Sequence, residues 1–116
     1  MITEIVSIAN AEHDYRHGNY DAWHLLKTGT LSVVQRWIPP HGAETNHYHE
    51  KAHQFFFILS GQGTLEIDNQ RLLVRAHEGV SVPPKVPHTI RNETDVDLSF
   101  LVISSPTSLG DRIAAE

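Results

Sequence analysis

The chain has 116 residues, 40% of them hydrophobic and 20% charged, and these values predict one globular domain covering residues 1–116. It contains no cysteine, which excludes disulfide bonds and thiolate metal sites, so any metal must be held by nitrogen or oxygen atoms. A formal net charge of -5 and the lack of a long apolar run predict no nucleic-acid partner and no membrane span, and a first segment without basic residues predicts a cytoplasmic protein.

Short strands separated by turn residues run along most of the chain. Glycine, proline, and aspartate or asparagine interrupt the sequence at short intervals, and apolar or alternating stretches lie between them. In chain order the predicted strands are Trp23–Lys27, Leu31–Ile38, Gln54–Leu59, Gly63–Ile67, Arg71–Val74, Val80–Val82, His88–Arg91 and Leu98–Ile103. No window has sustained helical periodicity, although the residues after Pro106 could form a short C-terminal helix. The pattern is typical of an all-β sandwich or barrel.

Two features of these strands predict how they are arranged. Leu65–Ile67 and Arg71–Val74 flank a polar turn at residues 68–70, which predicts a hairpin. The segment Phe55–Leu59 is apolar at both strand phases, so both of its faces should be buried. In so small a chain a second subunit is the favoured cover for the outer face, and this predicts a homodimer.

The chain has nine histidines, and two of them form a His-x-His pair, His47 and His49. In a strand, residues two apart point to the same face, with Cα atoms roughly 6.5–7 Å apart. Two imidazoles so placed can bind one ion at about 2.0–2.1 Å from each nitrogen. On the evidence of the pair alone, the alternative is that both are surface histidines on an exposed strand.

The segment from Gly42 to Gly61 resembles the first signature of the cupin superfamily, in which a glycine precedes a His-x-His pair, an acidic residue and a second glycine. The matching residues are Gly42, His47, His49, Gln54 and Gly61. A downstream segment resembles the second signature, which contains a proline, a histidine and an asparagine, here Pro83, His88 and Asn92. Together the two segments indicate a small single-domain cupin of the metal-binding, cupin 2-like kind.

Three positions depart from these signatures. Gln54 stands where an acidic residue is usual. In the second signature His77 takes the place of the leading glycine, which comes two residues later as Gly79, and Lys85 takes a place that is usually glycine. The last two departures concern the shape of turns, whereas the first concerns the chemistry of the site.

The resemblance implies a jelly-roll antiparallel β-barrel that binds one divalent transition metal, namely iron, manganese, nickel, zinc or copper. The implied ligands are His47, His49, His88 and Gln54. His53 is the alternative fourth ligand. Gln54 is favoured because its distance from Gly61 fits the signature and it shares a strand phase with Phe56.

Four neutral ligands would leave a site charge of about +2, which predicts a small, anionic ligand or substrate. Strand alternation predicts that Phe56, Ile58 and Ile90 line the pocket, with Tyr48 nearby, although core packing is the alternative for the three apolar residues. His24, Gln35 and Arg36 could also reach the cavity, at most one of the last two from a regular strand, but exposed positions are the favoured interpretation. Glu44 is likewise predicted to be an exposed loop carboxylate.

Enzymes of the dioxygenase, decarboxylase and isomerase types share this fold, and so do non-catalytic modules that bind or sense small ligands. The favoured interpretation is a metal-dependent enzyme. The alternatives are a binding or sensing module that uses the same pocket, and a metal-free cupin that resembles sugar epimerases and uses its histidines as acid and base. No separate acid and base pair can be recognised in the sequence.

Overall fold

The computed structural model describes residues 3–16, 20–108 and 110–115. Within these ranges the chain forms eleven β-strands and no helix. The strands are β1 (Glu12–Arg16), β2 (Tyr20–Lys27), β3 (Ser32–Ile38), β4 (His47–His49), β5 (His53–Ser60), β6 (Gln62–Ile67), β7 (Gln70–Arg75), β8 (Gly79–Val82), β9 (His88–Arg91), β10 (Leu98–Ser105) and β11 (Arg112–Ala114). All eight predicted strands are present. No helix of the described residues is long and apolar enough to cross a membrane.

The strands form two antiparallel sheets that together make a jelly-roll β-barrel, as predicted. The six-stranded sheet has the order β1-β2-β3-β10-β5-β8, and the five-stranded sheet has the order β11-β4-β9-β6-β7. The predicted hairpin is β6–β7, which pairs Ile67 with Gln70. Asp68 and Asn69 form its turn with positive φ angles of 49° and 67°, a conformation that these two residue types tolerate.

The core lies between the inner faces of the two sheets, where alternate residues of each strand meet. Its fully buried members include Ile38, Phe56, Ile58, Leu65, Ile90, Leu98 and Phe100. The Phe56 and Phe100 rings stack with their centroids 6.1 Å apart. Burial of each such side chain contributes roughly 1.5–3 kcal/mol, so this interior holds the strands that carry the site in place.

The C-terminal segment is a strand and not the short helix that the sequence allowed. β11 pairs antiparallel with β4, which places Arg112 opposite His49 and Ala114 opposite His47. The pairing satisfies backbone groups along an edge of β4 that would otherwise be free, which a helix there would not do. The sequence also did not predict β1, which extends the six-stranded sheet beside β2.

Within one chain, Phe55–Leu59 is buried on one face only. Phe56 and Ile58 lie in the core, whereas Phe55 is 41% exposed and Phe57 is half-buried on the outer face of the six-stranded sheet. The Phe55 and Phe57 rings stack with their centroids 6.4 Å apart. Full burial of both faces therefore requires a second molecule.

The turns that depart from the cupin signatures keep the backbone shape that glycine would adopt. His77 and Lys85 have φ angles of 68° and 69°, in the left-handed region. Gly61 has a φ of 83°, and a Cβ atom there would lie 2.5 Å from the carbonyl oxygen of Asp97, so only glycine fits. Asn92 of the second signature is buried, and its Nδ2 donates hydrogen bonds to the carbonyls of Ile38 and Val96.

Candidate metal centre

Three histidines converge at one end of the barrel. β4 supplies His47 and His49, and β9, the neighbour of β4, supplies His88 in direct register with His47. One ring nitrogen from each lies within 4.8 Å of those of the other two. The ring centroids are 4.5 Å apart for His47 and His88, 5.0 Å for His47 and His49, and 5.7 Å for His49 and His88. This spacing leaves room for one ion between the rings.

Backbone carbonyls fix the orientation of two of these rings. His47 Nδ1 donates to the carbonyl of Thr45 at 2.7 Å, and His88 Nδ1 donates to the carbonyl of Val86 at 2.9 Å. Because a carbonyl only accepts, the proton lies on Nδ1 and the lone pair on Nε2. The buried Nε2 of His88 has no hydrogen-bond partner among the described residues, and neither does Nδ1 of His49. Unsatisfied nitrogens in this arrangement fit a metal ion.

All three imidazoles are neutral at neutral pH. Burial lowers the pKa of His47 to about 3 and that of His49 to about 4, and it also lowers the pKa of His88 below the ordinary value. The Arg112 guanidinium lowers each of the three values further. A neutral imidazole presents a lone pair, so the three rings can bind a cation without first losing protons.

Gln54 is buried on β5, and one of its two polar side-chain atoms lacks a hydrogen-bond partner among the described residues. Its Nε2 donates to Ser104 Oγ at 3.0 Å, and its Oε1 has no partner among the described residues. It lies on the same face of β5 as Phe56, whose ring contacts that of His88 edge-on at 5.7 Å. His53, by contrast, is exposed and its Nε2 lies 2.6 Å from Ser81 Oγ. The structure thus places Gln54 on the inside and His53 on the outside.

A buried ion pair next to the histidines was not predicted. The Glu44 side chain is fully buried and pairs with Arg36, so the expected exposed carboxylate is wrong. Glu44 raises the pKa of His88 and Arg36 lowers it, so both lie close to that ring. Arg36 also faces inward on β3, with its guanidinium 5.6 Å from the centre of the Tyr20 ring. Gln35 points to the opposite face, where its Nε2 lies 3.5 Å from Ser99 Oγ.

A cavity of about 220 Å³ opens beside His49. Its wall is formed by Asp14, Tyr20, Ala22, His24, Ser32, Val34, Arg36, His49, Ser108, Gly110 and Arg112. The inward positions of Arg36 and His24 correct the expectation that both are exposed. The volume lies just below the range of roughly 300–1,000 Å³ that is usual for ligand pockets, so the cavity suits a small molecule.

The four residues predicted to contact a ligand lie elsewhere. Phe56, Ile58 and Ile90 are core residues with no more than 1% of their surface exposed. Tyr48 alternates with the two histidines of β4, so it points to the opposite face, and it pairs with Ile113 of β11. None of the four lines the cavity beside His49. Their contact with a ligand remains a prediction.

The C-terminal segment closes one side of the cavity. The Asp111 carboxylate accepts hydrogen bonds of 3.0 Å from the backbone N–H groups of Lys51 and Ala52. The N–H of Ala115 donates to the carbonyl of Asn46 at 3.1 Å. No local pattern predicts this docking, because the partners of Asp111 lie about 60 residues away along the chain.

Comparison with known proteins gives three kinds of similarity. A family model described as a cupin domain matches residues 34–104, which contain all four proposed ligands. An uncharacterised protein of Methanocaldococcus jannaschii is 36% identical over 79 residues, covering 67% of this chain and 63% of that protein. The H2HPP isomerase of Bacillus subtilis is 31% identical over 71 residues, covering 60% of this chain and 30% of the isomerase. The chain thus spans less than two thirds of the length of both relatives.

A solved structure shows the same fold over nearly the whole chain. A polyketide cyclase from Streptomyces resistomycificus superposes with a TM-score of 0.84 and 15% identity, covering 99% of this chain and 87% of the cyclase. At that identity the likeness concerns the fold alone.

Proposed function

This chain belongs to the cupin family, and on that premise we propose that it is a metal-dependent enzyme acting on a small anionic molecule. The observation that carries the proposal is the convergence of three buried, neutral imidazoles whose ligand atoms lie within 4.8 Å of one another, next to a cavity that contains two arginines. A cluster with only a structural role would not need such a cavity. The reaction type we favour is that of a dioxygenase, decarboxylase or isomerase.

The residues that would hold the ion are His47, His49 and His88, with the Oε1 atom of Gln54 as a fourth donor. Three nitrogens and one amide oxygen suit iron, manganese, nickel, zinc or copper. When bound, such an ion supplies positive charge that polarises a carbonyl or carboxylate oxygen of the substrate. The Thr45 and Val86 carbonyls hold two of the rings in orientation, and the Asp111 carboxylate anchors residues 111–115 beside the cavity.

The charge of the ligand set supports an anionic substrate. Because all four donors are neutral, they would leave the charge of a divalent ion uncompensated. Glu44 is the one buried carboxylate among the described residues, and Arg36 already neutralises it. The H2HPP isomerase of Bacillus subtilis, a relative by sequence, is itself an enzyme, which agrees with a catalytic role here.

We expect turnover to require the metal. Protein loaded in turn with each of the five ions would be incubated in air with a panel of small carboxylates and enolates, and followed by proton NMR and oxygen consumption. At least one loaded form should convert a compound, and chelation should remove at least about 90% of the rate, because the neutral ligand set cannot replace the charge of the ion. Turnover that survives exhaustive chelation would contradict the proposal and favour the metal-free alternative.

We also propose that the outer face of the six-stranded sheet pairs with a second copy of the chain. Apolar residues face each other there across three strands, since Phe55 pairs with Ile103, Phe57 pairs with Leu101, and Ile103 also pairs with Val33. Gly79 lets the Phe55 ring lie flat on the neighbouring strand, because a Cβ atom at Gly79 would lie 2.5 Å from that ring. A continuous apolar face of this kind is typical of subunit interfaces.

The wild-type protein should therefore sediment at twice the chain mass of 13.1 kDa. Phe55→Glu should weaken the dimer at least about tenfold, because burial of a phenylalanine contributes roughly 1.5–3 kcal/mol and the variant places a charge on each side. Leu73→Glu is the matched control, since Leu73 is an exposed leucine on β7 of the other sheet. A monomeric wild type, or equal dissociation of both variants, would contradict this interface.

A further inference from the structure

Two arginines from distant parts of the chain reach the same cavity. Arg36 comes from β3 and Arg112 from β11, and both line the wall that includes His49. Both also lower the pKa of His49 and of His88, so their charges act at the histidine cluster. A guanidinium group recognises carboxylates through parallel N–H donors. The two arginines therefore make one side of the cavity suitable for binding an anion.

Arg36 is held in one orientation before any ligand binds. Glu44 pairs with one terminal nitrogen, and the guanidinium Cζ lies over the Tyr20 ring, 5.6 Å from its centroid. The buried Nε of Arg36 has no hydrogen-bond partner among the described residues. A fixed guanidinium with an unused donor is pre-organised for a ligand, because little side-chain entropy remains to be lost on binding.

The same wall carries other polar atoms that lack partners. Ser32 is 1% exposed and the His24 side chain is 9% exposed, and neither Ser32 Oγ nor His24 Nδ1 has a hydrogen-bond partner in the described part of the chain. Buried polar atoms of this kind normally pair with a protein group, a water molecule or a ligand. Ser32 and Arg36 are four residues apart on β3, about 13 Å along the strand. The polar groups are thus spread along the cavity.

One carboxylate also faces this cavity. Asp14 on β1 lies in the same cross-strand row as Arg36, with Ala22 of β2 between them. Two strand spacings separate β1 from β3, roughly 10 Å. A carboxylate at that distance would repel an anion directly beside it and would accept a hydrogen bond from a hydroxyl group. The far part of the cavity therefore suits a hydroxyl group better than a second anionic group.

We infer that this cavity binds a small hydroxylated carboxylate, with its carboxylate between Arg36 and Arg112 and its hydroxyl groups toward Asp14, His24 and Ser32. The inference rests on the proposed function, and it specifies the class of substrate for the same site. Arg36 and Arg112 are then specificity-determining residues, and Glu44 is a positioning residue that orients Arg36.

The test measures binding and does not depend on turnover. The full chain labelled with nitrogen-15 would be prepared metal-free and with zinc, and its NMR spectra, including the arginine Nε–H signals, would be recorded during titration with glycerate, propionate and glyceramide. Glycerate supplies both groups, propionate lacks the hydroxyls, and glyceramide lacks the charge. Glycerate should bind at least tenfold more tightly than glyceramide and more tightly than propionate, with shifts at Arg36 and Arg112.

The variants are chosen so that each remains folded. Arg112 lies on an exposed strand, so Arg112→Gln leaves the core unchanged. Arg36→Gln is combined with Glu44→Gln so that no buried charge is left unpaired. Each should weaken glycerate binding at least tenfold, whereas Arg75→Gln, an exposed arginine on β7, should have no effect.

Zinc content, measured on the same samples, separates the two proposals. Glycerate binding at the arginines in a protein that takes up no zinc even when zinc is supplied would support this inference and argue against the metal-dependent function. Equal binding of glycerate and glyceramide, absence of glycerate binding, or variants that bind glycerate like the wild type would overturn the inference while leaving zinc binding and turnover intact.

Discussion

Replacement of both His47 and His88 by alanine is expected to abolish metal binding. The wild-type protein should hold about one divalent ion per chain, measured by elemental analysis of untagged protein. The double variant loses two of three nitrogen donors that lie within 4.8 Å of each other. Loss of a single supporting contact around a metal ligand already costs up to about 100-fold in affinity, so the loss of two ligands should cost more than 100-fold.

The matched control is His53→Ala. His53 belongs to the same part of the sequence and is the alternative fourth ligand, but its side chain is exposed and lies against Ser81 on the outside of the barrel. This variant should keep the full metal content, and circular dichroism would show that both variants are folded. Iron, manganese or copper in the wild type would favour redox chemistry, and zinc would favour Lewis-acid chemistry. A wild type without metal after incubation with excess divalent ions would contradict the site.

The placement of Gln54 and His53 shows what strand periodicity can predict. Adjacent residues of a strand point to opposite faces, so the shared phase of Gln54 with Phe56 was enough to predict that Gln54 points inward and His53 outward. The same alternation placed core residues on β5 and β9 and predicted a shared face for His47 and His49, although β4 itself was not among the predicted strands. A rule that depends only on local geometry needs no knowledge of the tertiary fold.

The ion pair of Arg36 and Glu44 shows where such prediction ends. A charged residue in a loop or strand is usually exposed, and the sequence holds no sign that these two residues bury each other. Their pairing depends on how β3 meets the segment before β4, which is a tertiary property. Arg36 shares its strand face with Val34 and Ile38, and this was the one available indication that it points inward. The general tendency of arginine to be exposed outweighed that indication.

The edges of the sheets were missed for a related reason. β1 and β11 contain few apolar residues, so neither has the alternating pattern that marks a half-buried strand. β11 moreover pairs with β4, more than 60 residues away along the chain, and no local window contains both strands. The turns at His77 and Lys85, by contrast, could be predicted. The cupin signatures place turns at these positions, and both residues adopt the positive φ angle although neither is glycine.

The metal-free protein is expected to lose stability as the pH falls below about 6.5. His47 and His49 have pKa values of about 3 and about 4 in the folded state, against 6.5 when unfolded, because burial disfavours the charged ring. Between these values the unfolded chain takes up protons that the folded chain does not, so the free energy of unfolding falls with decreasing pH. It should be constant above pH 6.5 and fall by up to about 2 kcal/mol per histidine at pH 5, at about 1.4 kcal/mol per pH unit.

Urea unfolding of chelated protein at intervals between pH 7.5 and pH 5 would measure this slope, in a range above the ordinary pKa values of carboxylates. His47→Gln/His49→Gln cannot titrate and should have a shallower slope, whereas His41→Gln, an exposed position, should match the wild type. A flat wild-type profile, or equal slopes in all three proteins, would show that the rings are protonated or solvated in the folded state. The expected slope has a functional reason: the fold keeps three proton-free imidazoles together at a cost in stability, and an ion that binds only the folded state offsets that cost.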